Sequence, residues 1–151
     1  MNSNAVIGDN QLELTRFFAH PREAVFAAWT DPEQLGAWWG CKDTERVTAT
    51  IDCREGGAFS YTMHMKDGSE MIYGGVYTEV VEPERLVTTS EMGAGTPYAF
   101  TSTTTVEFIE QDGGTLLRLT QVGLPPMPEP GPIIAGGFTA AFDKLERQLA
   151  G

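Results

Sequence analysis

Apolar and polar residues alternate in seven runs along the chain, the pattern typical of β-strands with one buried face. The first run places Leu12, Leu14, Arg16 and Phe18 on one face and polar residues at most positions between them. The later runs keep the same period of two and are separated by short turn-like segments. The runs cover residues 11–18, 46–53, 58–66, 70–81, 86–92, 101–110 and 115–123. The pattern therefore predicts seven strands.

Asp-Gly pairs mark two of the reversals between these runs, at Asp67-Gly68 and Asp112-Gly113. An Asp-Gly pair between alternating segments is a strong signal for a β-hairpin. The connections between the last six runs are short, whereas parallel pairing needs crossovers of about a dozen residues. The sequence therefore predicts an antiparallel sheet. Gly74-Gly75 predicts a bulge or bend that curls it, with close approach of a ligand to the backbone as the alternative.

Three segments carry the end signals and the period of helices. Pro21 suits the first turn of one short helix, and Asp31-Pro32-Glu33-Gln34 supplies a capping aspartate for a second. After a proline-rich connector at residues 124–132, apolar residues recur at spacings of three and four through residues 133–150. The element order β-α-α-β6-α predicts an α+β domain over residues 11–151, with residues 1–10 as a tail. Its curved seven-stranded antiparallel sheet is expected to wrap around the long C-terminal helix.

Charge, length and cysteine content narrow the choice of partner and compartment. A chain of 151 residues suffices for one domain with a substantial core, and its formal net charge of −11 argues against nucleic acid or an anionic membrane as partner. Residues 1–10 lack an export signal, and no apolar run reaches membrane-spanning length, so we expect a cytoplasmic protein. Cys41 and Cys53 fit a reducing compartment but could still pair with each other. Together with the two histidines they lack metal-ligand spacing, so no metal or other cofactor is predicted.

Several short motifs occur in the order known from one protein family. They include residues 28–33 (Ala-Trp-Thr-Asp-Pro-Glu), 38–40 (Trp-Trp-Gly), 54–57 (Arg-Glu-Gly-Gly), 75–80 (Gly-Val-Tyr-Thr-Glu-Val) and 83–87 (Pro-Glu-Arg-Leu-Val). From about residue 12 to its end, the chain resembles the family of activator of heat-shock-protein-ninety ATPase homologues. That family is a branch of the START-like (SRPBCC) superfamily of birch-pollen allergens, polyketide cyclases and lipid-transfer domains. The resemblance implies a helix-grip fold with a cavity between the sheet and the C-terminal helix.

An aromatic and methionine-rich set of residues is the candidate ligand site. These residues would line or cap the space between sheet and helix, although each of them could instead simply fill the core. Gly137, beside Gly136, is expected to leave the helix without bulk opposite the curled strand. The set predicts that the protein binds an apolar or aromatic small molecule. The candidate ligand-binding residues are Trp38, Trp39, Tyr61, Met63, Tyr73, Tyr98, Gly137, Phe138 and Phe142.

A cyclase-like or hydrolase-like enzyme acting in the same cavity is the first alternative. The chain lacks the Gly-x-Ser-x-Gly, phosphate-loop and His-Glu-x-x-His motifs, so catalysis would depend on isolated polar residues. His64, Glu91 and Arg118 lie within predicted strands and are the candidates. The parity of the strand places His64 with small and polar residues, so it faces either solvent or, as an acid or base, the cavity.

A protein-interaction module is the second alternative, using the loop Gly93–Tyr98 and the proline-rich connector. The family name points to a chaperone as partner. In the eukaryotic activators, however, ATPase stimulation also depends on a separate amino-terminal domain, and ten residues precede the first predicted strand, so we do not expect that activity here. Homodimerisation is left open.

Overall fold

The computed structural model describes residues 4–40, 43–92 and 99–151, which form eight strands and three helices. The elements are Asn4–Ile7 (β1), Gln11–Phe18 (β2), Arg22–Thr30 (α1), Pro32–Trp38 (α2), Thr44–Ile51 (β3), Ala58–Met65 (β4), Glu70–Val81 (β5), Arg85–Met92 (β6), Phe100–Gln111 (β7), Gly114–Val122 (β8) and Pro130–Ala150 (α3). The strands form one antiparallel sheet in the order β1-β2-β8-β7-β6-β5-β4-β3. The predicted α+β, helix-grip fold class is confirmed.

The strand count differs from the prediction, since the described residues form eight strands rather than seven. Asn4–Ile7, assigned to the tail, forms β1, which pairs with residues 12–15 of β2 at the edge of the sheet. All four residues of β1 are exposed, so it is held to the sheet by backbone pairing and buries no apolar stripe. The alternation of buried apolar and exposed polar residues cannot reveal such a strand, because neither of its faces is buried.

The second short helix begins where its capping residue predicts, whereas Pro21 lies directly before the first turn of α1 and makes no side-chain capping hydrogen bond. The Asp31 carboxylate accepts hydrogen bonds from the backbone N–H groups of Glu33 at 2.9 Å and Gln34 at 3.3 Å, and Pro32 takes the first position of α2. The helices are joined further along by the Trp38 indole, whose Nε1–H donates to the Ala28 carbonyl oxygen at 2.9 Å. The two helices therefore pack together as one corner of the domain.

The face of the sheet that packs against the helices is termed the inner face. Along β2, residues 12, 14, 16 and 18 alternate with less buried neighbours, as the sequence predicts. In the part of the interior that lies between β2, β7, β8 and α3, the fully buried residues make an aliphatic and aromatic core with negligible exposure. They include Leu12, Leu14, Phe18, Phe108, Leu117, Leu119, Phe142 and Leu145.

The C-terminal half of α3 is anchored to the inner face by a buried arginine. Arg16 extends from β2, and its guanidinium contacts Asp143 at 2.7 Å and Glu146 at 3.3 Å, both on α3. The helix begins at Pro130, three residues before the predicted start, because prolines are tolerated in the first turn of a helix. None of the helices in the described ranges has the length and apolar character needed to cross a membrane.

The paired glycines of β5 act differently from the prediction. The register of β5 against β4 is regular through Gly74 and Gly75, and the irregularity in β5 falls instead between Tyr77 and Glu79. A Cβ atom on Gly74 would lie 2.7 Å from the Phe59 carbonyl oxygen, and one on Gly75 would collide with the backbone of β6. The glycines therefore permit close strand approach, while the bulge lies three residues further on.

Candidate functional site

The inner face and α3 enclose a small space, here termed the aromatic gap, on the β4–β7 side of the sheet. Its volume is about 30 Å³, which suits one water molecule, whereas pockets for organic ligands span roughly 300 to 1,000 Å³. The ligand-sized cavity that the sequence predicts is therefore not open in this structure. The lining residues are Trp29, Trp39, Phe59, Tyr61, Tyr73, Tyr77, Leu86, Thr88, Thr104, Val106 and Phe138.

Larger depressions lie on the outside of the molecule. One of about 490 Å³ runs along the β1 edge, but it is open to solvent and lined by residues 6–11, 13 and 122. A site for an apolar ligand must bury most of the ligand surface, which an open depression of this kind does not do. The aromatic gap is thus the better candidate despite its small volume.

Ring packing explains why the gap is small. The Trp39 ring stacks on Tyr73 at a centroid distance of 5.7 Å and an interplanar angle of 22°. It meets Tyr61 edge-on at 4.9 Å and Phe138 edge-on at 5.7 Å. Phe138 thus lies across the space that a ligand would use, in contact with both Trp39 and Phe142.

The structure brings four of the nine candidate ligand-binding residues to the gap: Trp39, Tyr61, Tyr73 and Phe138. Trp38 and Phe142 are fully buried in the core instead, where Phe142 meets Phe18 edge-on at 6.0 Å. The sequence alone cannot separate the adjacent tryptophans of Trp38-Trp39, because α2 ends between them and turns only one ring toward the gap.

Gly137 and Met63 do not line the gap, which corrects two further expectations. Gly136 and Gly137 are exposed on α3, and a Cβ atom on either would meet nothing within 4 Å. The neighbouring Phe138 is half-buried and lines the gap, and one helical residue corresponds to a rotation of about 100°, which turns the glycines to solvent. Met63 is half-buried and pairs with Val47 and Met71 near the rim of the sheet.

Some expectations fall on residues outside the described ranges. Tyr98 and the loop Gly93–Tyr98 are among them, so the interaction-module alternative stays a prediction. Cys41 also lies outside the described residues, whereas Cys53 is a free thiol. Burial raises the pKa of the Cys53 thiol, with Glu82 and Asp52 adding to the shift, so it is a weak nucleophile near neutral pH.

His64 lies on the outer face of the sheet, away from the gap. It alternates along β4 with the inward-facing Tyr61 and Met63 and pairs in register with Arg46 on β3. Its Nε2 atom is 3.1 Å from the Thr48 hydroxyl, and its Nδ1 atom is 3.1 Å from the Glu70 carboxylate. The cavity-facing role considered for His64 is therefore wrong.

Glu91 and Arg118 also point away from the gap. Glu91 is exposed and alternates along β6 with the buried Ser90. Arg118 alternates along β8 with buried leucines, and its Nε–H donates to Glu107 at 2.9 Å. That hydrogen bond and the charge of Glu107 raise the pKa of Arg118. None of the three catalytic candidates can act on a molecule held in the gap.

Two buried tyrosines set the electrostatics of the gap. Burial raises the pKa of Tyr61, and the neighbouring phenols of Tyr77 and Tyr73 raise it further. Burial likewise raises the pKa of Tyr77, with Cys53 as the next contribution. Both phenols therefore stay protonated at neutral pH, where they can donate hydrogen bonds but cannot serve as bases.

One row of residues that crosses the inner face carries side-chain hydroxyl groups. The sequence did not predict this row. Tyr77 pairs in register with Thr88, and Thr88 pairs with Thr104, so three hydroxyl-bearing residues cross neighbouring strands and line the gap. In the next row Ser90 pairs with Ser102, both are buried, and neither hydroxyl has a hydrogen-bond partner among the described residues. Counting residue pairs along the two strands from the Asp-Gly turn at residues 112–113 could have predicted that Thr104 lies on the inner face.

Histidine, cysteine and carboxylate side chains do not cluster in the described ranges in a way that could hold a metal ion. The described residues that line the gap are aromatic, aliphatic or hydroxyl-bearing, and none of them carries a charge. The gap is therefore suited to contacts with a neutral molecule.

Comparisons with known proteins agree with the fold. Residues 19–150 match the family model described as Activator of Hsp90 ATPase homolog 1-like protein. A crystal structure of a protein from Chromobacterium violaceum is similar at 25% identity and a TM-score of 0.82, covering 95% of this chain and 99% of that one. A protein structure from Rhizobium leguminosarum is similar at 27% identity and a TM-score of 0.77, covering 99% of each chain.

A third similar structure carries the family designation in its description. It is the solution structure of an AHSA1-like protein from Aeromonas hydrophila, at 25% identity and a TM-score of 0.74, covering 91% of this chain and 90% of that one. A comparison with curated proteins finds no match.

Proposed function

The chain belongs to the family of Activator of Hsp90 ATPase homolog 1-like proteins, and within that family we propose that it binds a small apolar or aromatic molecule between its sheet and α3. One observation carries the proposal: an uncharged, aromatic-lined gap interrupts an otherwise closely packed interior. Protein cores leave few spaces larger than a water molecule, and aromatic walls with a few polar groups are typical of ligand sites. The uncharged lining favours binding over acid–base catalysis.

A ligand must displace Phe138 to enter, because about 30 Å³ cannot hold an organic molecule. Phe138 is half-buried, and its ring packs on Trp39 and Phe142 without a polar anchor. A phenyl-sized ligand that takes the place of this ring would keep the edge-on contact to Trp39. The ring of Phe138 therefore occupies the binding space until a ligand takes its place.

The N-terminal half of α3 is the part that can carry Phe138 aside. Gly136 and Gly137 adopt helical backbone, and a Cβ atom would fit at both positions without contact. Glycine costs about 1 kcal/mol relative to alanine inside a helix, so two adjacent glycines weaken α3 where no packing requires them. Beyond Phe142 the helix is held to Arg16 by Asp143 and Glu146 and to the Gln34 carbonyl oxygen by Gln148 at 3.2 Å.

The test uses α-methylstyrene, a neutral aromatic hydrocarbon with two more carbons than the phenylalanine side chain, and measures its affinity by calorimetric or fluorescence titration. Wild-type protein should bind it, and Phe138→Ala should bind it about tenfold tighter, because the ligand then enters a space already vacated by the ring. Ile134→Ala is the matched control: it shortens a half-buried side chain on the same half of α3 that does not line the gap. Ile134→Ala should leave the affinity unchanged.

The proposal fails if neither wild-type protein nor Phe138→Ala binds the hydrocarbon while both are folded. It also fails if Ile134→Ala tightens binding as much as Phe138→Ala, since the site would then not be the aromatic gap.

A further inference from the structure

We infer that the ligand carries a neutral hydrogen-bond acceptor, such as a carbonyl oxygen, and that the Tyr77 hydroxyl recognises it at the polar row of the gap. The inference rests on the proposed function, because the acceptor must belong to the molecule that displaces Phe138. It adds a chemical class to the proposed ligand: an aromatic ketone, aldehyde or ester rather than a hydrocarbon or an acid.

The first support is the position of the hydroxyl row. Tyr77, Thr88 and Thr104 are neighbours across β5, β6 and β7, and all three line the gap. Apart from the phenols of Tyr61 and Tyr73 and the indoles of Trp29 and Trp39, the other lining residues carry no polar side-chain group. The row thus gives the gap one edge at which three hydroxyl groups are neighbours, and such an edge would orient a molecule that has a single polar group.

The second support is a pair of buried donors that lack acceptors within the described ranges. The Tyr77 side chain is almost fully buried, and no group among the described residues meets its hydroxyl with hydrogen-bond geometry. The Tyr61 hydroxyl is close enough to act as a donor toward Tyr77, which raises the pKa of Tyr61 and offsets part of the rise in the pKa of Tyr77. The hydrogen of the Tyr77 hydroxyl itself has no acceptor among the described residues. The Trp29 Nε1–H, which can only donate, is likewise buried and without a partner in the described part of the chain.

Buried donors without acceptors are unfavourable, because they lose hydrogen bonds to water and gain none in return. Trp38 shows the contrast within this protein, since its indole N–H donates to the Ala28 carbonyl oxygen at 2.9 Å. The packing thus satisfies a core tryptophan, whereas two donors that line the gap have no acceptor among residues 4–40, 43–92 and 99–151. A ligand oxygen that accepts from Tyr77 would recover part of that loss.

The third support is charge, which selects a neutral acceptor over a carboxylate. None of the described residues that line the gap is a lysine or arginine. The buried Arg16 already contacts Asp143 and Glu146, and the chain as a whole has a net charge of −11. A carboxylate would have to leave water without gaining a cation, whereas a carbonyl oxygen needs only a donor.

The experiment compares acetophenone with α-methylstyrene, which have the same shape and differ in a carbonyl oxygen against a methylene group. Transfer to a site without a donor would disfavour acetophenone, because its oxygen would lose hydrogen bonds to water. Wild-type protein should nevertheless bind acetophenone at least about fivefold tighter than α-methylstyrene, and benzoate should bind more weakly than acetophenone.

Tyr77→Phe removes a single hydroxyl group and keeps the ring that lines the gap. It should abolish the preference for acetophenone and leave the affinity for α-methylstyrene within about twofold of wild type. Ser102→Ala is the matched control: it also removes a buried hydroxyl that has no hydrogen-bond partner among the described residues, but Ser102 does not line the gap. This control should keep the preference.

The outcomes separate the two proposals. Binding of neither probe, to wild-type protein or to Phe138→Ala, would overturn the proposed function together with the inference. Binding of both probes with equal affinity, a preference for α-methylstyrene, or a preference for acetophenone that survives Tyr77→Phe would overturn the inference and leave the proposed function standing. Tighter binding of benzoate than of acetophenone would overturn the choice of a neutral ligand.

Discussion

Two regions of the interior differ in how completely they are packed. The aliphatic half, between β2, β7, β8 and the C-terminal half of α3, has leucines with no exposure, such as Leu12, Leu117 and Leu119. The aromatic half, between β4, β5, β6 and the N-terminal half of α3, contains a gap and the hydroxyl of Tyr77, which has no hydrogen-bond partner in the described part of the chain. The difference agrees with a division of roles within one sheet, with the closely packed core on one side and the proposed ligand site on the other.

The two halves of α3 follow the same division. Residues 143–150 carry the acidic side chains that bind Arg16, whereas residues 130–142 contain no charged side chain and so can make no ion pair. Weak helix formers and a proline-rich start add to the contrast. We therefore expect the N-terminal half to open at a lower free energy than the C-terminal half.

The largest expected effect is on stability, and it comes from shortening one buried side chain in each half of the interior. Leu117→Ala should lower the free energy of unfolding by about 3 kcal/mol, because it leaves a cavity among fully buried neighbours. Phe138→Ala removes a larger side chain yet should cost only about 1 to 2 kcal/mol, since its ring is half-buried beside an existing gap. Urea denaturation measures both, and equal losses would contradict the division.

A smaller effect tests the anchor of α3. Arg16→Met should destabilise the fold by about 1 to 2 kcal/mol and speed amide exchange in residues 143–150, because Asp143 and Glu146 are partly exposed and can be solvated when the arginine is lost. The control Arg118→Met breaks the partly exposed pair with Glu107 and should change stability by less than about 0.5 kcal/mol. Faster exchange confined to residues 130–142 would contradict the assigned role of Arg16.

Alkaline pH should weaken the aromatic half. Burial raises the pKa of Tyr61 and Tyr77, so the folded state holds these protons more tightly than the unfolded state, whose phenols titrate near 10. Stability is therefore unaffected below about pH 10 and falls above it, by up to about 1.4 kcal/mol per pH unit for each phenol. Tyr77→Phe should make the fall shallower in urea denaturation between pH 8 and 11, and identical slopes would rule out this source.

The smallest stability effect concerns the glycine pair. Gly136→Ala and Gly137→Ala should each stabilise the fold by about 0.5 to 1 kcal/mol, because alanine favours the helix and its Cβ atom meets no neighbour at either site. The double variant should also slow amide exchange in residues 130–140 and slow ligand association, as seen by stopped-flow fluorescence. A stabilised variant with an unchanged association rate would show that opening of α3 does not limit entry.

Much of the fold could be predicted because its signals are local. Alternation identified the seven long strands, Asp67-Gly68 and Asp112-Gly113 marked hairpins, and Asp31 marked the start of α2. The strand β1 gave no signal because it buries none of its side chains. The local hydrophobic pattern thus predicts an element where one face of that element is buried.

The candidate site was predicted only in part, because it depends on where the helices end and how they are rotated against the sheet. Which of Trp38 and Trp39 reaches the gap depends on where α2 ends, and the outward direction of Gly137 depends on the rotation of α3. The size of the gap depends on how rings from three elements meet, which the sequence does not encode position by position. Tyr77 was missed because its proposed role follows from its register with Thr88.

Mapping the position of bound acetophenone by nuclear magnetic resonance tests the central claim most directly. On titration, the backbone amide signals of Tyr77, Thr88 and Phe138 should shift with a common dissociation constant, while those of Leu12 and Leu117 in the aliphatic half stay in place. Shifts centred on β1 and β2, or no shifts at concentrations that saturate Phe138→Ala, would contradict the assignment of binding to the aromatic half.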